Sequence, residues 1–525
     1  MRKIALLVGA LLFTLVAPIS SVPAAAAGAF TVQPFTVTAS DGVQLRGHAL
    51  VPDGSGPFPT LVLPNSWGLN QLEYVVPASD FARAGYVVVS YTTRGFWESG
   101  GQIDVAGPRD IADARLVIDW ALANTPADSD RVGMAGISYG SGISLLTAAA
   151  DPRVRAVAAM STWGDLERSL LPNSTWSQQS IGLLDLSARL TGRPGQELLD
   201  TLDAYYRNDR AAAVRLAASR SPIAVVDRIN ANRPAVLIAN GWSDSLFPAG
   251  QIVDLYERLQ VPKRLELVPG DHATPELTGI FGLPNETWDS VRRWFDHHLR
   301  DLDNGVDREL PVQVRPTLGG PWQSYPTWSA LVGDTQRFYL SDLDPVVNRD
   351  GELTATPRTG WSHTVAAGVD TTATGGISLL TGGLEQLGIP QWVWLPSVLR
   401  TNAGVWQTPV LDRARQVRGA PTLHVTITPS TSRVTLVAYL YDVDALGNGR
   451  LLTHQPLTLL DATPGAARAV DITLDPLVHT VPAGHRIAVV VDTVDGLYRG
   501  ESRIGSTVTF RSPAGDPSYL DVPLA

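Results

Sequence analysis

The chain has 525 residues, enough for about three or four domains of ordinary size, and its 44% apolar and 18% charged residues exclude a disordered or fibrous protein. A formal net charge of −10 without a basic run excludes the electrostatic footprint of a nucleic-acid binder. The absence of cysteine excludes thiol catalysis, thiolate metal sites and disulfides.

Arg2 and Lys3 open the chain, an apolar run covers residues 4–16, and Ala24, Ala25, Ala26 and Ala27 supply an A-x-A cleavage pattern. The apolar run is shorter than the ~20 residues that cross a bilayer, so residues 1–27 read as a secretory signal peptide. The expected location is secreted (extracellular or cell-envelope), with no membrane association after cleavage.

Residues 28–163 alternate short apolar runs with helical segments. Residues 60–63 and 86–91 read as buried strands, with a helix over 75–84 between them. Ile111, Ala114, Val117, Ile118 and Ala121 recur at helical spacing within 110–123. A strand at 131–135 and a helix at 141–150 follow. Such alternation implies a parallel sheet with helices on both faces.

Over 164–232 the strand signal stops. Residues 198–206 and 211–218 read as helices, and Pro172, Gly192 and Pro194 break the stretch before them. This is read as a helical cap inserted into the α/β domain. The α/β pattern resumes over 233–308, with strands at 235–239 and 264–268 and a helix at 286–299 that Asn285 caps. Over 309–525, strands such as 423–428, 434–440 and 486–491 are separated by Gly, Pro and Asp clusters, the pattern of a β-sandwich.

Gly136-Ile137-Ser138-Tyr139-Gly140 is the only G-x-S-x-G in the chain. It lies between a predicted strand and a predicted helix, the context a nucleophile elbow needs. A serine hydroxyl is a weak nucleophile and requires a base, itself oriented by an acid. After the cap, one predicted strand runs into Asn240-Gly241-Trp242-Ser243-Asp244 and the next into Pro269-Gly270-Asp271-His272. Both loops fall at the C-terminal edge of the sheet, and the order Ser, acid, His is that of α/β-hydrolases. The expected triad is therefore Ser138, Asp244 and His272. His297 and His298 lie late in a helix, and His363, His424, His454, His479 and His485 lie in the β part. Asp271 and Asp254 are the rival acids.

Tyr139, which follows the nucleophile, is expected to supply one oxyanion donor through its backbone N–H, and the loop Asn65-Ser66-Trp67-Gly68 the second. Asp442-Val443-Asp444-Ala445-Leu446-Gly447 begins like a calcium loop, but Leu446 stands at a ligand position. No metal and no cofactor are expected; the expected partner is a small ester or peptide substrate.

These residues resemble the bacterial cocaine esterase and X-Pro dipeptidyl-peptidase family of serine hydrolases. Gly136 to Gly140 resembles its nucleophile motif and Asn240 to Asp244 its Gly-Trp-x-Asp acid loop. Arg94-Gly95 with Ser99-Gly100-Gly101 is similar to its Arg-Gly-x-x-x-S-x-G stretch. Phe295-Asp296-His297-His298-Leu299, followed by Trp322 and Trp328, resembles its exit helix and linker, and 409–442 the opening of its C-terminal domain. The resemblance implies an α/β-hydrolase fold with an inserted helical cap, followed by a C-terminal β-sandwich of the jelly-roll, galactose-binding-like type.

Two positions depart from the family. Trp67 stands where a Tyr side chain often supplies an oxyanion hydrogen bond, and Thr92 and Thr93 stand where an acidic residue usually precedes Arg-Gly. The family divides between esterases and peptidases that release dipeptides ending in proline. The latter must bind a free amine, for which Asp165, Glu167, Glu197 and Asp200 of the cap are candidates. A non-catalytic alternative is carbohydrate or cell-wall binding by the β domain through Trp392, Trp394 and Trp406.

Overall fold

The Val- and Leu-rich runs of the first half lie side by side in one sheet. In the computed structural model, which describes residues 30–343 and 349–525, that sheet has ten strands. Residues 1–27, read above as a signal peptide, lie outside the described residues. Six of the strands, Val87–Tyr91, Phe58–Pro64, Ala127–Ile137, Val154–Met160, Ala235–Gly241 and Lys263–Val268, run parallel in that spatial order. Their side chains alternate between two cores. Val62, Val89, Met134, Val157 and Ile238 enter one, while Leu61, Val88, Ala135, Ala158 and Leu237 enter the other. Burial on both faces explains why these strands read as continuous apolar runs.

An antiparallel hairpin, Phe30–Thr38 with Gln44–Pro52, extends one edge of the sheet. At the other edge Val312–Val314 and Gln323–Tyr325 still belong to it. The catalytic sheet thus runs past the expected boundary between 308 and 309. Strands of three residues carry too little periodicity to announce themselves.

Between Met160 and Ala235 the chain is helical, with Leu166–Leu170, Gln178–Thr191, Gln196–Arg207, Arg210–Arg220 and Val226–Asn232. Helix Glu286–Arg300 starts where expected, since the Asn285 side chain accepts from the Trp288 amide at 2.9 Å.

From Asp334 onward fourteen strands form a second, mostly antiparallel sheet system. Phe338, Val425 and Leu520 from one part of it share a core with Leu436, Leu440 and Val489 from the other, as in a sandwich. Trp406 lies in this core, fully buried, and is unavailable to a sugar, whereas Trp392 and Trp394 are exposed. Asp444 ties the turn of the calcium-like segment, accepting from the amides of Leu446 at 2.8 Å and Asn448 at 2.9 Å.

Candidate active site

The elbow follows from sterics. Ser138 has φ 55° and ψ −116°, a strained conformation for a residue with a side chain. The turn is tight enough that a Cβ on Gly136 would lie 2.5 Å from the Gly140 carbonyl carbon, and one on Gly140 only 2.1 Å from the Pro64 oxygen. Both positions therefore demand glycine. Helix Tyr139–Ala150 starts at Ser138, whose side chain does not cap it. The hydroxyl instead faces His272, with Oγ 2.8 Å from Nε2.

The two post-strand loops complete a chain of hydrogen bonds. His272 Nδ1 lies 3.0 Å from Asp244 Oδ2 and 3.2 Å from Oδ1. Asp244 Oδ1 accepts from the amides of Leu246 at 3.0 Å and Phe247 at 2.7 Å, and Oδ2 from Asn240 Nδ2 at 3.2 Å. All three of Ser138, Asp244 and His272 are buried. Burial disfavours the charged imidazole, but the charge and hydrogen bond of Asp244 outweigh it, and the His272 pKa is raised.

Neither rival acid reaches the imidazole. Asp271 Oδ1 accepts from the Ser245 and His272 amides, both at 2.7 Å, and so ties the two loops together. Burial and the nearby Asp244 push its pKa up to about 6. Asp254 pairs with Arg168 on the surface.

Of the two expected oxyanion donors, Tyr139 fits. It is the first residue of its helix, where amides have no intrahelical partner, and its side chain is anchored elsewhere. The Tyr139 hydroxyl donates to Asp110 at 2.6 Å and accepts from the Ala106 amide at 2.8 Å. The Trp67 side chain does not fit. Its indole N–H donates to the Leu184 carbonyl of the cap at 3.1 Å, while its ring packs edge-on against Phe96 and Tyr139. The indole N–H is thus already spent within the protein.

Two further carboxyls escaped the sequence reading. Glu73 accepts from the Ser66 amide at 2.8 Å and its hydroxyl at 2.5 Å, fixing the loop that carries Trp67. Glu276 is wholly buried and accepts from Ser161 Oγ, which in turn accepts from the Ala273 amide. Burial pushes the pKa of each up to about 7. No motif marks Glu73; for Glu276 the only signal is its place four residues after His272. Arg94 is structural, since its guanidinium grips Asp113 at 2.7 and 2.8 Å and Asp41 at 2.8 Å.

Above Ser138 a cavity of about 120 Å³ opens under the cap. Trp163, Leu170, Trp176, Leu202, Leu216 and Phe247 give it an apolar wall.

Comparison with known proteins agrees with this architecture. Residues 41–274 match the X-Pro dipeptidyl-peptidase (S15 family), and residues 304–508 match the X-Pro dipeptidyl-peptidase C-terminal non-catalytic domain. A Streptomyces avermitilis protein assigned by name to the Xaa-Pro dipeptidyl-peptidases is 25% identical over 503 residues, covering 79% of this chain and 68% of its own. Cocaine esterase of a Rhodococcus species is 30% identical over 356 residues, 57% of this chain and 60% of that one. The solved structure of a CocE/NonD family hydrolase from Staphylococcus aureus superposes with a TM-score of 0.73 at 14% identity, covering 97% of this chain and 99% of that one. With segments matching the S15 family and its non-catalytic C-terminal domain both present, the chain is a serine hydrolase similar to the X-Pro dipeptidyl-peptidases and cocaine esterase.

Proposed function

We propose that this chain is an exported acyl hydrolase in which Ser138 is the nucleophile, His272 the general base and Asp244 its orienting acid. The observation that carries the reading is the unbroken hydrogen-bond chain from Ser138 Oγ through His272 to Asp244, opening on the cavity under the cap. His272 Nε2 takes the hydroxyl proton as Oγ attacks an ester or amide carbonyl. The oxyanion forms against the Tyr139 amide. The main-chain amide of Trp67, which has no hydrogen-bond partner among the described residues, serves as the second donor. His272 then protonates the leaving group, and water repeats the sequence on the acyl-enzyme. Export rests on the signal pattern of residues 1–27.

The cap narrows the substrate. Asp165 caps helix Leu166–Leu170 by accepting from the Glu167 and Arg168 amides. Glu197 pairs with Arg220 at 2.6 Å, and Asp200 accepts from Gln196 at 2.7 Å. Asp185, also on the cavity wall, is held by Arg189 and Tyr206. Glu167 alone of these borders the cavity, whose wall is apolar, while keeping a carboxylate that no described residue pairs. Burial and the neighbouring Asp165 raise its pKa, a penalty that a cationic ligand relieves. This supports substrates with a free α-amine and a small apolar acyl part: short peptides or aminoacyl esters.

The test compares wild type, Ser138→Ala and Glu167→Gln, each starting at Gly28, on a p-nitrophenyl ester and on alanyl-prolyl p-nitroanilide, uncapped and N-acetylated. Serine-dependent hydrolysis is expected, with the uncapped anilide preferred at least tenfold and that preference lost in Glu167→Gln through KM. Wild-type turnover in Ser138→Ala would refute the mechanism. Equal cleavage of capped and uncapped substrates would refute the amine site.

A further inference from the structure

The acid loop of the catalytic site is gripped from outside the catalytic domain. Ser243 and Ser245 flank Asp244, and both are held by a single segment of the C-terminal domain. Ser243 Oγ donates to Glu385 Oε2 at 2.5 Å, and the Leu379 amide donates to Ser245 Oγ at 3.0 Å. Gly382, between those two residues, is pressed onto the base loop as well. A Cβ there would lie 2.8 Å from Asp271 Cβ and 3.0 Å from the Ser243 carbonyl oxygen. The fit needs glycine because the domains meet backbone to backbone.

Glu385 belongs to the short helix Thr381–Gln386 and is 7% exposed. Ser243 is the only hydrogen-bond partner of its carboxyl among the described residues. A short hydrogen bond to a buried carboxyl is among the stronger kinds, and it fixes the residue next to Asp244. Asp271 of the base loop also binds this loop, accepting from the Ser245 amide and from the His272 amide, both at 2.7 Å. The loop that aims Asp244 is therefore held both by the base loop and by the C-terminal domain. Glu385 does not line the cavity above Ser138, so it does not reach a substrate there.

We propose that Glu385 is a positioning residue for the hydrolytic reaction: by holding Ser243 it sets the orientation of Asp244 against His272. The domain described as non-catalytic thereby contributes to turnover. This rests on the reading of Ser138, His272 and Asp244 as the catalytic triad. Burial and the nearby Asp271 push Glu385 up to about 7, but either protonation state keeps an oxygen that accepts from Ser243.

The test uses the full chain with a p-nitrophenyl ester, comparing Glu385→Ala, Glu385→Gln, Ser243→Ala and the Ser243→Ala/Glu385→Ala double variant, with Ser138→Ala as control. A displacement of about 1 Å at a catalytic group costs on the order of 10²-fold. Glu385→Ala and Ser243→Ala are each expected to lower kcat by roughly 10- to 100-fold with KM within twofold. Glu385→Gln, which keeps an acceptor, is expected to restore most of the rate. The double variant is expected to fall no further than the worse single one, because both changes cut the same hydrogen bond. If Ser138→Ala keeps wild-type turnover, the triad reading fails. If Ser138→Ala is inactive while Ser243→Ala keeps wild-type kcat, or the two losses multiply, or they fall on KM alone, the positioning role is overturned. Should Glu385→Ala not fold, as judged by its thermal melt, Ser243→Ala and Glu385→Gln decide alone: a normal kcat in the first or an undiminished loss in the second overturns the proposal.

Discussion

Asp244→Asn tests the site with a change of one atom. In the wild type, Asp244 offers both oxygens: Oδ1 to the amides of Leu246 and Phe247, Oδ2 to Asn240 Nδ2 and to His272 Nδ1. An asparagine has one oxygen for these four donors. Two backbone amides cannot be left unpaired in the interior, so the oxygen takes the Oδ1 position and the NH₂ group the other. That NH₂ then donates to His272 Nδ1, which must be deprotonated, so the ring proton moves to Nε2. Nε2 lies 2.8 Å from Ser138 Oγ and must be empty to take its proton. The imidazole is held in the wrong tautomer, a defect worth about 10⁴-fold in kcat. Asn240 Nδ2 would face a second donor, but it also reaches the Phe247 carbonyl at 3.3 Å, which keeps the stability cost at about 1 kcal/mol. Steady-state hydrolysis of a p-nitrophenyl ester, with urea unfolding alongside, reads both quantities. A variant that folds and retains more than a tenth of wild-type kcat would refute the tautomer argument and, with it, the role given to Asp244.

Two further predictions concern pH. The base must be neutral to accept a proton, and the His272 pKa is raised, so the acid limb of kcat/KM is expected to have its midpoint above the ordinary imidazole value of 6.5; a midpoint below 6.5 in the pH–rate profile would contradict it. Glu276 has its folded pKa raised from 4.5 to about 7 by burial, so the folded state keeps a proton that the unfolded chain releases. Its neutral form is at no disadvantage below pH 4.5, and stability is lost as pH rises toward 7. Glu276→Gln is therefore expected to gain on wild type by on the order of 3 kcal/mol between pH 4.5 and 8 in urea unfolding. A difference independent of pH would show that the carboxyl ionises freely.

The sequence made the parallel strands legible because burial on both faces leaves unbroken apolar runs, such as Leu61-Val62-Leu63 and Val87-Val88-Val89. It hid the Phe30–Thr38 and Gln44–Pro52 hairpin, whose first strand is exposed from Thr31 to Pro34 and whose apolar positions are interrupted by Gln, Thr and Arg. The elbow was legible for a steric reason. The approach of Gly140 to Pro64 excludes every side chain, so the requirement is written in the residue types themselves. What the Trp67 side chain does was not legible, because its indole is bonded to Leu184, which arrives from the cap 117 residues later. Nothing local to residue 67 tells an indole free to meet a substrate from one already bonded to a helix.

The same limit applies to charge. Asp271, Glu73, Glu276 and Glu385 all surround the acid and base loops or the nucleophile, and by count alone the site looks strongly negative. Burial pushes Asp271 to about 6 and the other three to about 7. Each makes its hydrogen bonds to main-chain amides or serine hydroxyls rather than to the imidazole. Asp244 differs in kind: three donors besides His272 converge on its two oxygens, and it alone of these acids faces the imidazole. The surrounding carboxyls tie loops together, and the charge that orients His272 is concentrated on the one acid whose oxygens are aimed at it. Which carboxyl does which is decided by donor geometry, a property of the assembled loops that residue types in sequence do not carry.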